Sequence, residues 1–305
     1  MKLRLFVFLL LVVIIANLPG CSNDDDKSLI KDGVLFNDST LERLIREAVN
    51  QPEGTLDPEK LKNLTRLELG GWLIRDITGL EYCTNLIYLD LNTNEITDIS
   101  ALGGMFRMKE LVLHNNNISN INPLSSMAEL EILSLMSNPI SDLSPLAGCT
   151  MIAKLYLWDN QVSDISPLAG MTGMTGLTLS MNPIEDISPL SSLVNIEVLG
   201  MRYNSISSLS GIEKMVNLTY LDAAENKITD ISTLVNLEYL TWVDLSSNDI
   251  NDLEAWSHYI PAEGQSLSIL IRDNPLSDMS ISKYIPAMQD NGITVEWQSL
   301  EDMLK

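Results

Sequence analysis

Apolar residues recur along most of this chain in a pattern with a period of 22 residues. Each period contains one asparagine, with apolar residues at offsets −11, −8, −5, −3, +2, +5 and +8 from it. The asparagines that keep this spacing without interruption are Asn94, Asn116, Asn138, Asn160, Asn182, Asn204, Asn226 and Asn248. Trp72 occupies the equivalent position one period earlier, and Asn274 follows after 26 residues. A fixed period of this length indicates a repeat protein rather than a set of separate globular domains.

Each period predicts a short β-strand followed by a compact return. Leu89 and Leu91 alternate with Tyr88 and Asp90, which is the period of two expected of a strand. The rest of the repeat is too short for a long helix. Several repeats also place a proline just before the +8 residue, namely Pro123, Pro145, Pro167 and Pro189. We therefore expect each strand to lead into a turn and an irregular or 3₁₀ segment.

The repeats are expected to stack, because a single unit cannot bury its own apolar side whereas stacked units share one continuous core. The predicted fold class is an α/β solenoid shaped as a horseshoe. A parallel β-sheet would form its concave face, and irregular or 3₁₀ segments would form its convex face. The repeated asparagine suits an inward-pointing ladder, since its amide both donates and accepts hydrogen bonds and can satisfy backbone groups where the strand turns.

Both ends of the repeat array carry the sequence patterns of capping elements. The predicted elements are a helix over 41–49 capped by Asp38, a helical turn starting at Asp57, a helix over 280–290 that ends at Gly292, and a closing strand over 293–297. These elements would cover core side chains that the terminal repeats leave open.

The start of the chain has the layout of a secretory signal. Lys2 and Arg4 precede an unbroken apolar run over 5–16, and these 12 residues are too few to span a membrane. The run is followed by Leu-Pro-Gly-Cys at 18–21, which resembles the lipobox of bacterial lipoproteins, although its proline departs from the small residue usual there. The resemblance implies cleavage before Cys21 and lipidation of that residue. Ordinary secretion with an unmodified Cys21 is the alternative.

The repeat pattern from Leu61 to about Asp278 is similar to the leucine-rich repeats of the bacterial internalins, and residues 33–60 resemble their helical N-terminal cap. The internalin resemblance implies adhesion or binding of a host receptor. Together with the lipobox, we expect an exported, lipid-anchored envelope protein without enzymatic activity, which binds a protein ligand on its concave face. Two alternatives stay open: an envelope scaffold without a host role, and an envelope hydrolase that uses the repeats as a frame.

The predicted domain organisation has five parts. They are a signal peptide over 1–20, a lipid anchor and tether over 21–32, a helical N-cap over 33–60, ten leucine-rich repeats over 61–278 and a C-terminal cap over 279–305. We expect a monomer that touches the membrane only through its lipid anchor.

Candidate ligand-binding residues are the large side chains that the strand period directs onto the concave face, at offsets −6, −4, −2 and −1. Exposed Tyr, Trp, Met and Arg are enriched at recognition surfaces. The candidates are Val112, His114, Ile132, Met136, Tyr156, Trp158, Met181, Arg202, Tyr203, Tyr220 and Trp242. Tyr156 and Trp158 are the strongest of them, whereas Tyr220 and Trp242 lie at the strand margin. A face of ten strands is on the order of 50 Å long, which suits a folded protein partner.

The composition of the chain argues against two classes of function, nucleic-acid binding and chemistry at a metal or cofactor. A formal net charge of −22 repels phosphate backbones and argues against nucleic-acid binding. The 2 histidines and 3 cysteines provide little material for a metal site, so we expect neither a metal nor another cofactor.

Cys83 and Cys149 occupy the same column of the repeat, three repeats apart. Their α-carbons should therefore lie roughly 14 Å apart, which is beyond the ~7 Å that a disulfide allows. We expect both to be reduced core residues.

Two groups of polar residues resemble a catalytic triad and a calcium site, and we expect neither group to act as one. Asp90, His114 and Ser134 lie on consecutive strands, but diagonal neighbours stand ~7–8 Å apart and a hydrolytic triad needs contacts of ~2.6–3.2 Å. We expect three solvated groups.

The aspartates at offset +4 have two possible roles. They could bind calcium ions along the array, or each carboxylate could accept a hydrogen bond from a backbone N–H group of its own turn. We favour the second role, in which the aspartates cap their turns. They are Asp98, Asp142, Asp164, Asp186, Asp230 and Asp252, with Asn120 and Ser208 in the same column.

Overall fold

The computed structural model describes residues 34–261 and 264–298, so the predicted signal peptide, Cys21 and the tether lie outside the described residues. A parallel sheet of eleven strands runs through this part in chain order. The strands are β1 Arg66–Glu68, β2 Tyr88–Asp90, β3 Glu110–Val112, β4 Ile132–Ser134, β5 Lys154–Tyr156, β6 Gly176–Thr178, β7 Val198–Gly200, β8 Tyr220–Asp222, β9 Trp242–Asp244, β10 Leu267–Leu270 and β11 Ile293–Glu296. The predicted solenoid, with its sheet on the concave face, is confirmed.

Short 3₁₀ helices form most of the returns between strands. They span Leu80–Tyr82, Ser100–Leu102, Asn122–Ser126, Ser144–Leu146, Ser166–Gly170, Ser188–Ser192, Ser232–Asn236 and Glu254–His258. Four of these helices carry proline in their first two positions, where the fixed φ of proline suits a helix and its missing N–H leaves no donor unpaired. The predicted irregular or 3₁₀ return is therefore confirmed.

The core consists of the apolar columns of the repeat. Every side chain at the seven offsets from the eight evenly spaced asparagines is at most 3% exposed. Register explains the continuity of this core: Leu89 pairs with Leu111, and Leu111 pairs with Leu133, so identical positions of successive repeats lie side by side. Cys83 and Cys149 belong to one of these columns as free, buried thiols, as predicted. Burial raises the pKa of Cys83 to about 12, so its thiolate is suppressed at neutral pH.

The asparagine ladder joins neighbouring repeats through their backbones. The side-chain oxygen of Asn138 accepts a hydrogen bond from the N–H of Ile118 at 3.0 Å. Its Nδ2 donates to the carbonyl oxygens of Leu113 at 3.0 Å and Leu135 at 3.1 Å. The other asparagines of the ladder make the corresponding contacts, for example at Asn116 and Asn182. The predicted satisfaction of backbone groups at the turn is confirmed.

The chain bends sharply just before each of these asparagines. The preceding residue has a left-handed backbone, with φ between 51° and 59° in nine consecutive repeats. These residues are Thr93, Asn115, Ser137, Asp159, Met181, Tyr203, Glu225, Ser247 and Asp273. The bend lifts their side chains to the rim of the sheet, where the strands end.

Helices cover both ends of the repeat array. Helix α1, Ser39–Ala48, starts at Asp38, whose carboxylate accepts hydrogen bonds from two N–H groups of the first turn, and it buries Leu41 and Ile45. Helix α2, Pro58–Lys62, follows. At the far end a π-helical turn, Ser280–Tyr284, leads into helix α3, Ile285–Asp290, and then into β11. The predicted capping elements are confirmed, and the five domain boundaries stay predictions.

No helix in the described ranges is long and apolar enough to cross a membrane.

Candidate binding surface on the inner wall

We use the term inner wall for the side chains at offsets −6, −4, −2 and −1, which line the concave sheet and its rim. Strand register aligns each offset into a column: Ile132, for example, lies between Glu110 and Lys154 in the −6 column. All the predicted ligand-binding residues have these offsets, and none of them is buried in the core. The period of two along each strand places the residues at −6, −4 and −2 there, and the left-handed bend places Met181 and Tyr203 at the rim.

The middle of the inner wall exposes large apolar side chains. We define the central patch as Met136, Tyr156, Trp158, Met181 and Tyr203. Trp158 and Met181 are each 40% exposed and Tyr203 is 50% exposed, whereas Met136 and Tyr156 are half-buried. Val112 and Ile132, both half-buried, extend the apolar surface onto β3 and β4.

Met181 and Tyr203 lie next to each other at the rim. Together with Asp159, Asn160 and Pro183 they line a depression of about 350 Å³. Backbone hydrogen bonds to the next repeat hold its main residues: the N–H of Met181 donates to the carbonyl oxygen of Arg202 at 2.8 Å, and the N–H of Asp159 donates to that of Ser180 at 2.9 Å. The depression can receive an apolar side chain of a partner.

Arg202 is held by two carboxylates of the following repeats. Its Nε lies 3.2 Å from both carboxylate oxygens of Asp222, and its Nη2 donates to Asp244. Burial raises the pKa of Asp222, and the positive charge of Arg202 opposes that rise. Arg202 therefore lies on the wall as predicted, with its guanidinium already engaged inside the protein.

The sequence prediction of the site omitted Asp222 and Asp244. A detectable pattern was present, since aspartate occupies offset −4 in two consecutive repeats just after a repeat with arginine at −2. Period and spacing predict that these three residues share a face. They do not show that one guanidinium spans two strands.

Tyr220 and Trp242 form a stacked pair at the margin of the sheet. The two residues pair across β8 and β9, and their ring centroids are 4.4 Å apart with an interplanar angle of 9°. Each ring covers one face of the other, so the pair offers a partner mainly its edges and its two outer faces. Offset stacking of this kind is worth ~0.5–1.5 kcal/mol beyond burial and stiffens this part of the wall.

The predicted separation of His114 from Ser134 is wrong. The imidazole Nδ1 of His114 lies 3.3 Å from the hydroxyl oxygen of Ser134, because the long His114 side chain leans across the gap between the two columns. Ser134 is also buried rather than solvated. Burial lowers the pKa of His114, and the charge of Asp90 opposes that shift. Asp90 accepts hydrogen bonds from the N–H and the side-chain amide of Asn92, at 2.9 and 2.6 Å. The buried hydroxyl is not open to a substrate.

The aspartates at offset +4 cap their own turns, as predicted. The carboxylate of Asp142 accepts the N–H of Ser144 at 2.8 Å, and Asp98, Asp164, Asp186, Asp230 and Asp252 make the equivalent bond. These bonds lower the pKa of Asp142, Asp164 and Asp230. Among the residues that the structure describes, no group of three or more His, Cys, Asp or Glu side chains could hold a metal ion.

Comparisons with known proteins find the same repeats and the same solenoid fold in other proteins. The family model described as Leucine Rich repeats (2 copies) matches residues 62–104, 107–148, 151–192 and 194–236. An internalin of Listeria monocytogenes has 29% identity and a TM-score of 0.66, over 88% of this chain and 92% of that chain. Internalin C2 of the same organism has 27% identity and a TM-score of 0.60, over 77% and 96%.

A more distant structure shares the fold alone. It is the leucine-rich-repeat ectodomain of a plant membrane receptor kinase from Arabidopsis thaliana, solved in complex with Casparian strip integrity factor 2. Its identity is 21% and its TM-score is 0.64, over 81% of this chain and 34% of that chain. Among curated proteins no match was found.

Proposed function

Because the chain belongs to the leucine-rich-repeat family, we propose that it is a non-enzymatic binding protein that recognises a protein ligand through its inner wall. The observation that carries this proposal is the exposure of Trp158, Met181 and Tyr203 on the inner wall, with Met181 and Tyr203 adjacent at its rim. Water contacts these side chains in the free protein, and a partner that covers them gains the hydrophobic free energy of their burial.

Rigidity of the wall supports the same function. The strands are held by in-register parallel pairing, and the turns that follow them are held by the asparagine ladder. A surface that is already ordered loses little conformational entropy when a partner binds. The wall therefore presents its aromatic side chains in the conformation that a partner would contact.

We expect Tyr156→Ala combined with Trp158→Ala to weaken ligand binding by at least about 30-fold, since loss of one aromatic hot spot costs ~2 kcal/mol or more. The full-length protein serves as bait against extracts of its own cell envelope and against eukaryotic surface proteins. The origin of the captured protein then separates an envelope scaffold from a host-binding protein, and Kd is measured for that protein.

Tyr239→Ala is the matched control, because Tyr239 is an aromatic side chain with 59% exposure that precedes β9 and lies off the inner wall. The control variant should bind normally, and both variants should keep the wild-type Tm. Equal binding by the double variant and the wild type would refute the proposal.

We also propose that the protein is exported and held at the cell envelope by lipid on Cys21. The sequence at 18–21 and the similarity to internalins of Listeria monocytogenes support this location. Cells that express the protein and grow with radiolabelled palmitate should label the wild type and leave Cys21→Ser unlabelled. A wild-type protein without label would contradict lipidation and leave ordinary secretion.

A further inference from the structure

Charge is distributed unevenly along the inner wall. The central patch is flanked by two acidic regions, which we call shoulders: an amino-terminal shoulder of Asp90 and Glu110, and a carboxy-terminal shoulder of Asp222, Glu225 and Asp244. Strand register places Asp90 beside Val112. Asp222 and Asp244 pair with each other and share β8 and β9 with the stacked Tyr220 and Trp242, so both shoulders adjoin apolar or aromatic residues of the same sheet.

The cations of the wall are mostly neutralised by its own carboxylates. Over the described residues of the wall, three of its four cationic side chains form ion pairs and Lys154 forms none. The pairs are Arg66 with Glu68, Arg202 with Asp222 and Asp244, and Arg272 with Glu296. Arg66 also lies over the ring of Tyr88, at 3.5 Å from its centroid. A partner therefore meets few free positive charges here.

Several carboxylates of the wall are not neutralised. In the part of the chain that the structure describes, Asp90, Glu110 and Glu225 lie within no ion pair, and neither does Asp159 at the rim of the central patch. The formal net charge of −22 adds a long-range negative potential to this local excess. An acidic partner would be repelled from both shoulders, whereas a basic partner would be attracted to them.

We propose that the ligand of the inner wall is a basic protein surface, with an apolar centre that covers the central patch and Lys or Arg side chains that reach both shoulders. This inference rests on the proposed function. Glu110 belongs to β3 and Glu225 follows β8, so five strand spacings separate them, roughly 24 Å along the sheet. The cationic groups of the partner stand about that far apart, which is the width of a small folded domain or of an extended segment of about eight residues.

The test uses a phage-displayed library of random twelve-residue peptides, panned on the immobilised full-length protein. Selected peptides are expected to carry Lys or Arg on both sides of aromatic or aliphatic residues. The affinity of each selected peptide is then measured for three double variants. The shoulder variant, Glu110→Gln with Glu225→Gln, neutralises one carboxylate in each shoulder, and the off-wall variant, Glu129→Gln with Glu185→Gln, removes the same charge from exposed positions off the wall. The third variant is Tyr156→Ala with Trp158→Ala.

We expect the shoulder variant to bind the selected peptides at least ten-fold more weakly than the wild type, and the off-wall variant to bind them within two-fold. Raising the salt concentration should also weaken binding to the wild type more than binding to the shoulder variant.

Neutral or acidic peptides that still depend on Tyr156 and Trp158 would overturn the inference and leave the proposed function intact. The inference would fail in the same way if basic peptides bound the shoulder variant as tightly as the wild type. Peptides whose binding is unaffected by Tyr156→Ala with Trp158→Ala would count against the proposed function itself, and the inference would fall with it.

Discussion

Replacement of Asn138 by alanine is expected to lower the free energy of unfolding by about 3–5 kcal/mol. The amide of Asn138 accepts the N–H of Ile118 and donates to the carbonyl oxygens of Leu113 and Leu135. Alanine leaves the N–H of Ile118 buried without a partner, which costs ~1–3 kcal/mol. It also removes one of the two hydrogen bonds to each of these carbonyls, which keep their bonds from Asn116 and Asn160, and each lost bond is worth ~0.5–1.5 kcal/mol. Urea unfolding followed by circular dichroism measures the change.

Asn160 provides the matched comparison, because it makes the same contacts while being more exposed. Water can replace part of what Asn160→Ala removes, so that variant should lose less stability than Asn138→Ala. Asn138→Asp keeps the shape of the side chain and loses both donors, so it should be destabilised at neutral pH. Its stability should improve as the pH falls, because protonation restores a donor and removes a buried charge. Equal losses for Asn138→Ala and Asn160→Ala would contradict the burial argument.

Arg202→Ala is expected to cost about 2–3 kcal/mol of folding stability. The variant leaves Asp244, whose side chain is 5% exposed, and Asp222, at 20%, facing each other without a cation. Removing one partner of a fully buried ion pair costs ~3–5 kcal/mol, and the cost falls below that range here because the Arg202 side chain is one-third exposed to solvent. Chemical denaturation at pH 7 measures the loss.

The same variant should depend on pH in a defined direction. Burial already raises the pKa of Asp222, and loss of Arg202 removes the charge that opposes this rise. A carboxyl whose pKa is higher in the folded protein than in the unfolded chain binds more protons when folded. Its destabilising effect is therefore complete above the folded pKa and shrinks as the pH falls toward the ordinary carboxyl pKa. The stability that Arg202→Ala loses relative to the wild type should consequently be smaller at pH 4 than at pH 7.

A charge-free version of the cluster is the control for this second prediction. Arg202→Leu with Asp222→Asn and Asp244→Asn removes all three charges together and should recover most of the stability that Arg202→Ala loses. A loss that is the same at both pH values, and that the triple variant does not recover, would show that Arg202 acts through packing alone.

Much of the molecule was predictable from its sequence because the repeat imposes the same local physics many times. The alternation of Leu89 and Leu91 with polar or aromatic neighbours indicates a strand, and 22-residue spacing makes equivalent strands pair in register. The direction of Tyr156 and Trp158 onto the inner wall follows from the same period of two. The capping role of aspartates such as Asp142 followed from their position two residues before a turn N–H.

Contacts between side chains of different repeats were decided by the tertiary structure alone. The sequence by itself determined the solenoid, its buried columns and the set of residues that face inward, because those depend on period and polarity. It did not determine that Arg202 spans two strands to Asp244, that Tyr220 stacks on Trp242, or that His114 reaches Ser134. The physical reason is that these contacts depend on the rotamers of long side chains on adjacent strands, which are fixed only when the sheet brings residues about twenty or more positions apart into contact.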